Sequence, residues 1–217
     1  MRVYISTMKK FIEKLHFITH DIKQHTHIEQ AQIACEAGAK WIQYRCLTKS
    51  DEELLTDIHA IAEICDDWGA TLIVTDHIHL KGQADIQGFH IEDMDADFEA
   101  LRLQLGEEFT LGGSSNTVEG LIKLAAKGVD YAGFGPFSVT TTKPNNAPLL
   151  GIKGYEDGIA LLKAENIELP ILAVGGITEA DIDALMETGI FGIAASSAIN
   201  QAPDMSAAYL AFYNKVK

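Results

Sequence analysis

The sequence predicts the α/β class, as a single-domain (β/α)8 TIM barrel over residues 1–217, with residues 1–13 as an N-terminal extension. Two observations carry this. Eight short apolar, β-rich runs alternate with longer helical stretches from end to end, a pattern that demands parallel strands joined by crossovers. The length, 217 residues, is also right for eight such units in one domain. An open doubly wound sheet is the competing arrangement, and the count of eight units favours closure.

The strand runs are Leu15–Thr19, Trp41–Arg45, Thr71–Thr75, Gly88–Ile91, Thr110–Ser114, Tyr131–Gly135, Pro170–Val174 and Gly192–Ala195. Between them, helical periodicity marks Ile28–Ala37, the acidic run from Ser50, the run from Thr117, Tyr155–Lys163, the run from Glu179, and Ser206–Val216. Ser50 with Glu53 reads as a capping box, and Thr178 before Glu179 and Asp181 as an N-cap. Gly38, Gly69, Gly128 and Gly189 sit where helices should stop. The weakest helical pattern is Ile78–Gln83. All five prolines lie at or after position 136, and Pro136–Gly151 reads as a long functional loop leaving the sixth strand.

Composition narrows the function. Seventeen Lys+Arg against 31 Asp+Glu leave a formal charge of −14, which argues against nucleic-acid or anionic-membrane partners. An anionic substrate would therefore need a locally positive site. Hydrophobic residues at 47% supply a sizeable core. Cys35, Cys46 and Cys65 are scattered, without CxxC spacing, so a reducing cytoplasm is expected rather than a disulfide framework or zinc knuckle. Glu13 and Lys14 interrupt any signal-like apolar region, and no run reaches a membrane span. The homo-oligomeric state is left open.

In a barrel of this kind, chemistry sits at the C-terminal strand ends. Gly175-Gly176 and Ser196-Ser197 each leave a strand just before a helix, where backbone amides favour an anion. The glycine pair alone would be only a tight turn; the serines beside it point to phosphate. Asp76 and Asp95, at neighbouring strand ends, suit Mg²⁺ shared with phosphate oxygens. Alternatively, Asp95 caps a helix within a solvated acidic loop. Arg45 and Lys143 are the cations available to a diphosphate. His77, His79 and His90 lack zinc-ligand spacing. His16, His20, His25, His27 and His59 read as surface or packing residues, and Cys46 as a buried thiol rather than a nucleophile.

In order along the chain, QYR from Gln43, TDH from Thr75, GFHIEDMD from Gly88 and GGSSNT from Gly112 resemble strand ends of the thiamine phosphate synthase and thiazole tautomerase family. The most specific stretch is DYAGFGPFSVTTTK from Asp130, followed by AVGGIT and GIAASSAI. The resemblance implies a Mg²⁺-dependent transferase that joins hydroxymethylpyrimidine diphosphate to a thiazole phosphate, giving thiamine phosphate and pyrophosphate. Its partners would be these two phosphorylated heterocycles. Asp76 and Asp95 would hold the metal. Gln43, Arg45, Thr75, Ser114 and Lys143 would bind the pyrimidine diphosphate, with Arg45, Ser114 and Lys143 acting in catalysis. Thr140, Thr142, Gly176, Ser196 and Ser197 would hold the thiazole phosphate.

Four positions depart from the family pattern. Leu47 replaces a lysine, Thr75 an asparagine and Glu92 a glycine, while Asp93 adds a further negative charge. Lys49, two residues beyond Leu47, is a candidate substitute cation. These losses keep two alternatives in view, a thiazole tautomerase and a paralogue that binds thiazole or thiamine phosphate without turnover. Retention of Asp76, Asp95 and TxTK, with Asn116 where the tautomerase has a histidine, favours the synthase.

Overall fold

The computed structural model describes residues 10–140 and 147–217. The strands are β1 (Leu15–Ile18), β2 (Trp41–Tyr44), β3 (Thr71–Thr75), β4 (Gly88–Ile91), β5 (Thr110–Ser115), β6 (Tyr131–Phe134), β7 (Ile171–Val174) and β8 (Gly192–Ala195). All pair in parallel and in chain order, and β8 returns to β1 through Leu15 opposite Ile193 and Phe17 opposite Ala195. The barrel is closed, which removes the open-sheet alternative.

The helices are α1 (His27–Glu36), α2 (Asp51–Trp68), α3 (Phe98–Leu105), α4 (Val118–Ala126), α5 (Gly151–Ala164), α6 (Ile182–Glu187), α7 (Ser197–Asn200) and α8 (Met205–Val216). Their starts follow side-chain chemistry. Thr26 with Glu29, Ser50 with Glu53 and Thr178 with Asp181 form capping boxes. Gly69 ends α2 in the left-handed conformation, at φ +59°. The helix expected over Ile78–Gln83 is only a 3₁₀ turn, Ile78–Leu80. Asp76, His77 and Gly82 around it all have positive φ, so no full α-turn can propagate. The helix cap after β4 is Asp97, which accepts from Ala100 N, and not Asp95.

Each strand buries both faces, as a parallel barrel requires. Leu15, Phe17, Ile42, Tyr44, Leu72, Val74 and Phe89 join the main core beneath the helices. Their alternating neighbours point inward. Low in the barrel, Trp41, Ile73, Tyr131 and Leu172 form a separate buried plug. Tyr131 fits only because Gly112 has no side chain: a Cβ there would lie 2.3 Å from the Tyr131 ring carbon Cζ. The N-terminal end is tied by Asp130, whose carboxylate accepts from Arg102 Nη2 (2.7 Å), the Leu111 amide (2.7 Å) and Lys10 Nζ (3.0 Å). Among the described residues, no helix is long and apolar enough to cross a membrane.

Candidate active site

Above the plug, the inward positions turn polar and enclose a cavity of about 200 Å³ at the C-terminal strand ends. Gln43, Arg45, Ser114, Thr140, Gly176, Ser196 and Ser197 all line it. The tertiary fold thus gathers seven of the expected site residues from four strand ends and the loop after β6. Thr142 and Lys143 lie outside the described residues. Thr75 does not line the cavity. Its buried hydroxyl accepts from Gln43 Nε2 at 3.0 Å and so orients the amide that does.

Ser114 is set by a relay from the plug. Burial, with Asp130 adding to it, raises the Tyr131 phenol well above its ordinary pKa, so it stays protonated. Its hydroxyl lies 3.1 Å from His90 Nδ1, and His90 Nε2 lies 2.9 Å from Ser114 Oγ. With the phenol donating to Nδ1, the imidazole donates through Nε2. The Ser114 hydroxyl hydrogen is then left to point at a ligand oxygen.

On the thiazole-phosphate side, Gly175 and Gly176 have φ of +90° and +70°. A Cβ on Gly176 would lie 2.4 Å from the Val139 carbonyl oxygen, so the loop after β6 packs directly on this turn. Ser138 N donating to Gly175 O (3.0 Å) fixes the contact. Across the cavity floor α7 begins at Ser197, and Ser196 O accepts from Ile199 N and Asn200 N. Ser196 and Ser197 therefore face the cavity from a rigid turn.

The diphosphate side differs from the expected cationic wall. Arg45 Nε donates to Glu92 Oε1 at 2.8 Å and Nη2 to Oε2 at 3.2 Å, a bidentate pair on the cavity wall. Lys49 does not reach back either. Its Nζ lies 2.5 Å from the Asp57 carboxylate, which also accepts from Tyr44 OH, so Lys49 is held against α2. Leu47 points outward, 62% exposed. Among the described residues, the wall is charge-paired rather than positive.

Asp76 follows β3 with φ +59°, and its Oδ1 accepts from the Glu92 amide at 2.9 Å. Asp95 is exposed in the loop after β4, its amide donating to Asp93 Oδ1 at 3.0 Å. Neither aspartate lines the cavity itself. Asp76, Glu92 and Asp95 are hard oxygen donors on adjacent loops, chemistry that suits Mg²⁺.

Two residues escaped sequence reasoning. His16 lines the cavity floor, stacked on Trp41 with ring centroids 4.1 Å apart. Burial, and then His90, hold its imidazole well below the ordinary pKa, so it is neutral. Neither of its ring nitrogens has a hydrogen-bond partner among the described residues. Glu92 is the other: the sequence shows its charge but not its partner. Inward alternation along β1 and β4 is the signal that could have placed both side chains.

Comparison with known proteins identifies the family. A model described as thiamine monophosphate synthase matches residues 15–199. The chain belongs to the thiamine monophosphate synthase family. Within it, a thiamine-phosphate synthase of Bacteroides thetaiotaomicron is 41% identical over 193 residues, covering 89% of this chain and 92% of the relative. One of Bacteroides fragilis is 42% identical over 190 residues, covering 88% and 93%. A solved thiamine phosphate pyrophosphorylase from Pyrococcus furiosus superposes with a TM-score of 0.82 at 25% identity, covering 94% of this chain and 95% of the other.

Proposed function

We propose that this chain is a thiamine-phosphate synthase, a transferase that joins hydroxymethylpyrimidine diphosphate to thiazole phosphate and releases pyrophosphate. One observation carries the reading: Gln43, Arg45 and Ser114 face Gly176, Ser196 and Ser197 across a single cavity, a pairing of two anion-binding sites. The bond from the pyrimidine methylene to oxygen breaks, its electron pair leaving with pyrophosphate. The thiazole nitrogen lone pair forms the new C–N bond. That nitrogen carries no proton, so no general base is needed, and positioning with charge neutralisation supplies the catalysis.

Each residue then has a definite task. Gln43, held by Thr75, orients the pyrimidine. Ser114, held by His90, donates to a diphosphate oxygen, and Arg45 and Lys143 offset its charge. Gly176, Ser196 and Ser197, with Thr140 and Thr142, hold the thiazole phosphate so that its ring nitrogen meets the methylene. Asp76 and Asp95 would hold Mg²⁺, whose chemistry there is neutralisation of the departing pyrophosphate. The tautomerase reading needs a proton shuttle, and Asn116, whose Nδ2 donates to Gly135 O, has no titratable proton to move. The cytoplasm suits the free cysteines Cys35, Cys46 and Cys65.

The test is an assay of the purified chain with both heterocycles, with and without Mg²⁺, reading thiamine phosphate as its fluorescent thiochrome. Mg²⁺-dependent product is expected. Absence of product from protein that still binds thiazole phosphate would favour the binding-only paralogue, in which Glu92 holds Arg45 away from the diphosphate.

A further inference from the structure

One group of metal-ligating side chains stands apart from this reaction. Asp21 lies in the loop after β1, His27 opens α1, and Cys46 lies in the loop after β2. One ligand atom from each falls within 4.8 Å of the others. His27 Nε2 is 3.0 Å from Asp21 Oδ1, and Cys46 Sγ is 3.3 Å from the same oxygen. With ordinary bond lengths, a tetrahedral zinc ion spaces its nitrogen and oxygen ligands about 3.3 Å apart and its sulfur and oxygen ligands about 3.5 Å apart. Two edges of the site therefore already have nearly the required lengths.

The surroundings complete the case. His27 Nδ1 lies 2.7 Å from Thr19 Oγ1, which in turn accepts from the Arg45 amide at 3.1 Å. Such an outer hydrogen bond fixes the ring of a metal-bound imidazole and leaves its other nitrogen for the ion. Without a metal, protons must lie between Asp21 and both neighbours for these contacts to be attractive. A cation would take their place, the thiol proton leaving to solvent. The Asp21 carboxylate also accepts from the Leu47 amide at 3.1 Å and from Thr48 Oγ1 at 3.0 Å, which fix it beside His27 and Cys46. The His27 side chain is 5% exposed and that of Asp21 26%, so the site opens to solvent at Asp21.

We propose that Asp21, His27 and Cys46 form a binding site for a thiophilic divalent cation of the zinc class, with water in the remaining position. Imidazole and thiolate select such an ion over Mg²⁺, so the site is chemically separate from the carboxylates Asp76 and Asp95. A bound ion would clamp the loop after β1 to the loop after β2, next to Arg45. No motif spacing announces this site, because Cys46 reaches Asp21 and His27 only through the pairing of β1 with β2.

Co²⁺ is the probe, added to the reduced full-length protein. One equivalent should produce a sulfur-to-cobalt charge-transfer band in the near ultraviolet and strong tetrahedral visible bands. Zn²⁺ should erase them and excess Mg²⁺ should not. Cys46→Ser should abolish the sulfur band, and Thr19→Val should weaken binding by about tenfold. His79→Gln should leave the band intact, since the group of Asp51, His77 and His79 holds no thiol. Thermal unfolding of each variant separates loss of the ligand from loss of the fold. No sulfur band in the folded wild type, or a band that survives Cys46→Ser, overturns the proposal.

Discussion

Glu92 accepts from the Nε–Nη2 edge of Arg45, at 2.8 and 3.2 Å, with the Arg45 side chain only 7% exposed and that of Glu92 18%. An anion that uses this edge of Arg45 must first displace the carboxylate. Charge-assisted hydrogen bonds of this kind contribute about 1.5–3 kcal/mol. Glu92→Gly should therefore tighten binding of inorganic pyrophosphate with Mg²⁺ by about tenfold or more, read by titration calorimetry, and lower KM for the diphosphate substrate. The same variant should unfold at a lower temperature, because a largely buried guanidinium loses its partner. Unchanged pyrophosphate affinity would mean that Arg45 does not meet the diphosphate.

Asp76→Asn keeps a side chain that tolerates the φ of +59° but removes the charge. Turnover should fall about 100-fold or more, a loss of the size seen when one electrostatic contact to a transition state is removed. Thermal stability should change little. Steady-state kinetics across a Mg²⁺ titration checks both the loss and its dependence on the metal.

Gly176→Ala places a methyl against the Val139 carbonyl in a backbone conformation that L-residues avoid. Strain of about 1–3 kcal/mol is expected. The loop after β6 should shift, raising KM for thiazole phosphate while pyrophosphate affinity stays as in the parent. Comparing the two ligands by calorimetry tests this separation.

His16 has a pKa lowered well below the ordinary 6.5, first by burial and then by His90. Above that value it is neutral folded or unfolded and contributes nothing. Below it the unfolded chain gains a proton that the native state refuses, so stability falls with pH by up to about 1.4 kcal/mol per unit. Asp21 acts in the same direction but at much lower pH, since its stabilisation is lost as pH falls toward about 2. Urea unfolding between about pH 5 and 7.5 should therefore show a steeper acid loss in the parent than in His16→Gln. Parallel curves for the two proteins would show that His16 does not set the slope.

The eight-unit alternation, the capping box at Ser50, the N-cap at Thr178, and the polar strand ends at Gln43, Ser114 and Ser196 were legible because each depends on residues close along the chain. Helical and strand periods, caps and turns are local, and in a barrel the end of every strand points to the same face. What the sequence by itself determined is therefore the architecture and the list of groups at its C-terminal end.

Tertiary structure decided which of those groups meet. Arg45 and Glu92 are 47 positions apart, and only the barrel brings β2 and β4 to a common interior. Lys49, near the site in sequence, is turned toward Asp57 on the helix that follows it. His16, one more histidine on an apolar strand, becomes a neutral floor for the cavity because closure against β8 buries it completely. Cys46 meets Asp21 and His27 through the pairing of β1 with β2. Side-chain pairing depends on distance and rotamer inside the closed barrel, where burial makes each unpaired charge costly enough to select its partner.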